Sequence, residues 1–124
     1  MIALGRHCIC EFYDCDTGLL NNIKYLKSLF TTCAKDAGAT VVKVVFHKFS
    51  PHGVSGVVII AESHLSVHTW PEFGYAAVDV FTCGPLLNNT KIAESLKEGL
   101  KAKKASVTML QRGILSADQK VVFN

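Results

Sequence analysis

No part of the 124 residues approaches the roughly 18–20 consecutive apolar residues that a membrane span needs. Nor does a signal-peptide core precede Arg6-His7. The chain has no C-x-x-C motif and no paired Cys/His spacing, so the usual zinc sets have no ligands and no metal is expected. Five cysteines are an odd number, and without a secretory signal they read as reduced thiols in a cytoplasmic protein. Charge of either sign is scarce: 13 basic against 10 acidic residues leave a net +3. The basic residues Lys97, Lys101, Lys103 and Lys104 gather where a helix should end, a place that favours cations through the helix dipole. That grouping lacks the wide basic face and motif of a nucleic-acid site, so neither nucleic acid nor membrane is expected as a partner. Internal repeats and linkers are missing too.

What remains is a chain with 49% apolar and 19% charged residues, the composition of one globular domain spanning 1–124. Its slight apolar excess makes a homo-oligomer the expectation. Ile2 to Tyr13 reads as a strand with Cys8, Cys10 and Phe12 on one face and His7, Ile9 and Glu11 on the other. Asp14-Cys15-Asp16-Thr17-Gly18 breaks it. Asn21 or Asn22 caps a helix with apolar residues at Ile23, Leu26, Leu29, Phe30, Cys33, Ala34 and Ala37, stopped by Gly38. Thr40 to Phe49 and Val54 to Ala61 are strands joined through Ser50-Pro51-His52-Gly53 as a hairpin. Ser66 to Thr69 is a shorter strand, and Tyr75 to Thr82 alternates cleanly. Asn88-Asn89-Thr90 caps a second helix with Ile92, Ala93, Leu96 and Leu100 on its apolar face. Ala105 to Leu110 is the last strand, and Gln111 to Asn124 reads as a loosely attached tail. The order β-α-β-β-β-β-α-β predicts an α+β two-layer sandwich, an antiparallel sheet with both helices on one face.

Glu62-Ser63-His64-Leu65-Ser66-Val67-His68-Thr69-Trp70-Pro71-Glu72 concentrates two histidines, two carboxylates and the only tryptophan directly after the very apolar run Val57–Ala61. Unpaired buried polar groups cost about 1–3 kcal/mol each, so such density points to an active centre. A serine hydrolase is disfavoured because no G-x-S-x-G elbow surrounds Ser63. His64 and His68 share a strand face but lack a third metal ligand. Asp79 is either a histidine's partner or an ordinary strand residue, and Cys83 is either an exposed reactive thiol or a small buried side chain. For Phe49 and Trp70, core packing is the simpler reading.

The stretch from Ala61 to Glu72, followed by Gly74-Tyr75-Ala76-Ala77-Val78-Asp79-Val80-Phe81-Thr82-Cys83-Gly84, resembles the short prokaryotic form of S-adenosylmethionine decarboxylase. Gly5-Arg6-His7, Glu11-Phe12-Tyr13-Asp14-Cys15 and Phe46 to Val57 extend the likeness over roughly residues 3 to 105, leaving the tail beyond about Arg112 outside it. The resemblance implies a proenzyme that cuts itself between Glu62 and Ser63 into chains 1–62 and 63–124. Ser63 would be consumed to make a pyruvoyl group, which forms a Schiff base with the substrate and acts as its electron sink. By the same likeness, His68 accepts a proton in processing and Ser55 stabilises the intermediate, while Cys83 protonates the substrate carbon. Phe49 and Trp70 would stack on the adenine or the sulfonium, and Glu72 would take the ribose hydroxyls. The likeness also implies a homodimer with its sites at the interface, making decarboxylated S-adenosylmethionine as an aminopropyl donor for spermidine and other polyamines. Two rival readings are a decarboxylase of arginine or ornithine on the same fold, and an uncleaved regulatory homologue. Ser63, His68 and Cys83, all present, argue against the second.

Overall fold

In the computed structural model, residues 2–83 and 87–115 are described. They form one six-stranded antiparallel sheet with helices packed on one face, the α+β sandwich expected from the element order. The strands are β1 (Ile2–Tyr13), β2 (Val41–Lys48), β3 (Val54–Ile60), β4 (Ser63–Trp70), β5 (Tyr75–Thr82) and β6 (Lys104–Leu115). They lie in the order β2-β3-β4-β5-β1-β6.

Helix α2 (Ile23–Asp36) follows its sequence signals closely. The Asn22 side chain accepts from the Tyr25 N–H at 3.0 Å, and Leu26, Phe30, Cys33 and Ala34 are buried against the sheet. Helix α3 (Asn89–Gly99) is capped by Asn88 in the same way and buries Ile92, Ala93 and Leu96. Two helices were expected, and three α-helices are found among the described residues. The extra one, α1 (Thr17–Leu20), is a single turn started by Asp16, whose carboxylate accepts from the Leu19 N–H at 3.0 Å. It is too short for a hydrophobic period to reveal. No helix among the described residues is long and apolar enough to cross a membrane.

The core lies between sheet and helices, where Cys8, Cys10, Phe12, Val58, Ile60, Leu65, Val67, Val78 and Val80 meet the helices' apolar stripes. Among the described residues no helix lies on the other face of the sheet, and Val45, Ile59 and Leu110 remain exposed there. Gly56 sits on the helix side, where the Phe46 ring lies over it. A Cβ at this position would come within 2.2 Å of that ring. Gly56→Ala is therefore expected to destabilise the fold by about 1–3 kcal/mol through overpacking. The check is a lower urea midpoint at unchanged slope.

Two strands differ from the sequence reading. β4 begins at Ser63 and ends at Trp70, longer at both ends than Ser66–Thr69, because its pairing with β3 runs from Ser63 to His68 and with β5 from His64 to Trp70. The second correction concerns the tail. Gln111 to Leu115 are not loose but continue β6, paired with β1 as far as Ile2↔Leu115. β6 is an edge strand with both faces exposed, so its end from Gln111 to Leu115 carries no alternation by which a strand is recognised. The rest of the expected tail, 116–124, lies outside the described residues.

Candidate active site

β3 and β4 are joined by the two-residue turn Ala61-Glu62. Such a tight connection demands unusual backbone angles, normally supplied by Gly or Asn. Here Glu62 takes the left-handed conformation, with φ of 62°. For a residue with a Cβ this costs about 1–2 kcal/mol, so the bond following Glu62 leaves a strained residue. The next residue, Ser63, opens β4 on its helix side and is buried.

The β4–β5 register sets His64 opposite Phe81, which carries Ser63 to the end of β5. There the Cys83 backbone N–H donates to Ser63 Oγ at 3.1 Å. The preceding residue is anchored as well: Thr82 Oγ1 donates to Asn89 Oδ1 at 2.8 Å, inside the protein. Cys83 is the one cysteine of five that is not buried. Burial pushes the Cys15 and Cys33 thiols up to about 11. Cys8 and Cys10 have their sulfurs 3.7 Å apart, and that shared contact together with burial raises the Cys10 thiol. Cys83, partly exposed, is thus the cysteine whose backbone meets Ser63.

At the far end of β4 a second group forms. Ser55 on β3 faces His68 on β4, and Ser55 Oγ shares a 2.8 Å hydrogen bond with His68 Nδ1. Next to them a recess of about 220 Å³ is lined by Phe49, His52, Ser55, His68, Trp70 and Glu72 among others. Phe49 and Trp70 are not core residues, contrary to the simpler reading of the sequence. Their exposures of 49% and 40% leave aromatic faces open to solvent. Trp70 leans on Tyr75 with ring centroids 5.3 Å apart, and Tyr75 stacks in turn on Tyr13 at 5.5 Å. Glu72 belongs to a 3₁₀ turn, Pro71–Phe73, and its Oε2 accepts from His52 Nε2 at 2.8 Å.

The expected residues thus fall into two groups that one chain does not bring together. Ser63 and Cys83 meet at one end of β4, while Ser55, His68, Phe49, Trp70 and Glu72 meet at the other. Five residues of strand separate Ser63 from His68, about 16 Å at the usual rise, and the odd spacing places them on opposite faces.

Between the two groups, the helix-free face carries polar contacts that the sequence did not disclose. Asp79 does hold a histidine, but it is His7 from β1 and neither His64 nor His68. Arg112 Nη1 lies 3.0 Å from His7 Nδ1 and can only donate, so Nδ1 is the acceptor. The hydrogen on Nε2 is then donated to Asp79 Oδ1 at 2.8 Å. Ser66 donates to the other Asp79 oxygen at 3.2 Å. His64 instead stacks flat on Phe81, with centroids 5.6 Å apart. Beside this network the Tyr75 hydroxyl donates to Glu11 Oε1 at 2.7 Å, and burial followed by that bond lifts the phenol above its ordinary range. Alternation alone places His7, Glu11 and Asp79 away from the core. Their partners depend on pairing between strands some 70 residues apart.

Compared with known proteins, the chain matches the S-adenosylmethionine decarboxylase family over residues 6–113. The chain belongs to this family. An S-adenosylmethionine decarboxylase proenzyme from Acetivibrio thermocellus is 52% identical over 121 residues, 98% of each chain. The proenzyme of the same name from Moorella thermoacetica is 49% identical over 124 residues, covering 100% of this chain and 99% of the relative. Among solved structures, the adenosylmethionine decarboxylase from Aquifex aeolicus superposes with a TM-score of 0.87 at 30% identity, over 98% of this chain and 100% of that one.

Proposed function

We propose that the chain is the proenzyme of a pyruvoyl-dependent decarboxylase that converts S-adenosylmethionine to decarboxylated S-adenosylmethionine and carbon dioxide. The product is an aminopropyl donor for polyamine synthesis, made in the cytoplasm, where the thiols stay reduced. The observation that carries this reading is the strained Glu62 directly before Ser63, with the Cys83 N–H on the serine oxygen.

Ser63 Oγ attacks the Glu62 carbonyl carbon, and the peptide C–N bond gives way to an ester. Loss of the Ser63 α-proton and cleavage of its Cβ–O bond release the Glu62 carboxylate and leave dehydroalanine. Tautomerisation and hydrolysis, with loss of ammonia, leave a ketone on residue 63. The cut removes the constraint that holds Glu62 left-handed, while β4 stays fixed by its pairing with β3 and β5. Residue 63 suits a pyruvoyl group because it becomes the free end of a strand whose flanks are held. Such a ketone supplies the electron sink for decarboxylation. Cys83 Sγ holds the proton destined for the substrate carbon, a role suited to the one accessible thiol. Phe49 and Trp70 take the purine and the sulfonium charge, and Glu72 accepts from the ribose hydroxyls.

His68 and Ser55 serve the Glu62–Ser63 bond of a second copy. Their distance from Ser63 along β4 motivates this arrangement, and the exposed Val45, Ile59 and Leu110 provide an apolar face for the copy to cover. A two-fold axis over the sheet brings the Ser63 end of one protomer to the His68 end of its partner. The working unit is a homodimer with two shared sites.

Intact mass under denaturing conditions tests the chemistry. After incubation the chain is expected to appear as two pieces of 62 residues each, the downstream one blocked at its N-terminus and reactive toward hydrazine. A single chain that persists would overturn the reading.

A further inference from the structure

We infer that His52 is a positioning residue that sets the Glu72 carboxylate for the substrate's sugar. This rests on the reading above that Glu72 takes the ribose hydroxyls.

His52 stands in the β2–β3 loop and Glu72 in the turn after β4, so their contact joins two loops across the recess. A carboxylate only accepts, so the hydrogen between them belongs to His52 Nε2. The histidine's loop is itself pinned. The Phe49 N–H donates to Gly53 O at 2.8 Å, and the Gly53 N–H donates to Asn21 Oδ1 at 3.0 Å. Gly53 has φ of 106°, and a Cβ there would sit 3.3 Å from Thr69 O, so this close approach suits glycine. The Glu72 side chain, by contrast, stands on a surface turn with several rotamers open to it. His52 is the side chain among the described residues that is hydrogen-bonded to it. A carboxylate has about four lone-pair positions, and His52 takes one, leaving enough for a vicinal diol.

A hydrogen-bonded pair on open surface does little. This one lines a recess with two aromatic walls, Phe49 and Trp70, and a nucleoside seated between them displaces water from the pair and strengthens it. His52 then matters more with ligand bound than without.

The test uses processed enzyme, with cleavage of each variant first verified by mass. Steady-state kinetics are measured for His52→Phe, His52→Gln and Glu72→Gln with S-adenosylmethionine and with its 2′,3′-dideoxy analogue. His52→Phe keeps the ring but not the donor, and is expected to raise KM about fivefold with kcat within twofold. Glutamine restores a donor near the Nε2 position and should bring KM back to within about twofold of wild type. With the dideoxy analogue, His52→Phe and wild type should share one KM. If Glu72→Gln raises KM while His52→Phe does not, or if His52→Phe tightens binding, the inference is overturned and the sugar reading survives. Equal losses on both substrates would reduce His52 to a structural residue. A Glu72→Gln enzyme with unchanged KM would instead remove the sugar reading itself.

Discussion

Produced together in equal amounts, Ser63→Ala and His68→Ala chains are expected to recover about a quarter of the wild-type decarboxylase activity, where Ser63→Ala alone shows none and His68→Ala alone only what its slowed cleavage yields. Ser63→Ala has neither the nucleophile nor the β-leaving group, so it remains a single chain of 124 residues. His68→Ala keeps the serine but lacks the proton acceptor, and its cleavage should slow by about 10²–10⁴-fold. When the two assort at random, half the dimers are mixed. In each mixed dimer one site takes Ser63 from the His68→Ala chain and His68 from the Ser63→Ala chain, and is intact. The other site carries both defects. The physical basis is β4 itself, which holds the two side chains about 16 Å apart and on opposite faces. Mixed dimers isolated through two different tags, yet uncleaved and inactive, would show that both groups act within one chain. The β-sheet would then have to rearrange before processing.

The second large effect separates processing from turnover at a single residue. Cys83→Ala is expected to cleave to the wild-type extent and yet decarboxylate about 10²–10⁴-fold more slowly. Both halves follow from which atom of Cys83 does what. The donor on Ser63 Oγ is the main-chain N–H, and alanine keeps it. The Thr82–Asn89 hydrogen bond holds that backbone in place regardless of the thiol. The sulfur, the one accessible thiol of the chain, is lost. Intact mass reads the first half, and release of labelled carbon dioxide from carboxyl-labelled substrate reads the second. An uncleaved variant would move the thiol into processing. Undiminished turnover would assign the proton to another group.

Much of this was legible residue by residue. Asn22 and the three-and-four spacing from Ile23 to Ala34 specify α2 through neighbours within one turn. The alternation in Tyr75–Thr82 specifies β5 in the same local way and already separates Asp79 from the core. The runs from Ala61 to Glu72 and from Gly74 to Gly84 carried the family likeness, and with it the roles expected for Ser63, His68 and Cys83. Tertiary structure alone decided the rest. The continuation of β6 through Leu115 depends on β1 lying beside it, because Gln111 to Leu115, exposed on both faces, have no pattern of their own. The left-handed Glu62 follows from the two-residue closure between β3 and β4. Ser63 meets Cys83 through the β4–β5 register, and His7, Asp79 and Arg112 converge from three different strands. Helix and strand patterns repeat over two to four residues, so a single segment encodes them. Register and juxtaposition are set when whole faces are buried together, and that depends on every strand at once.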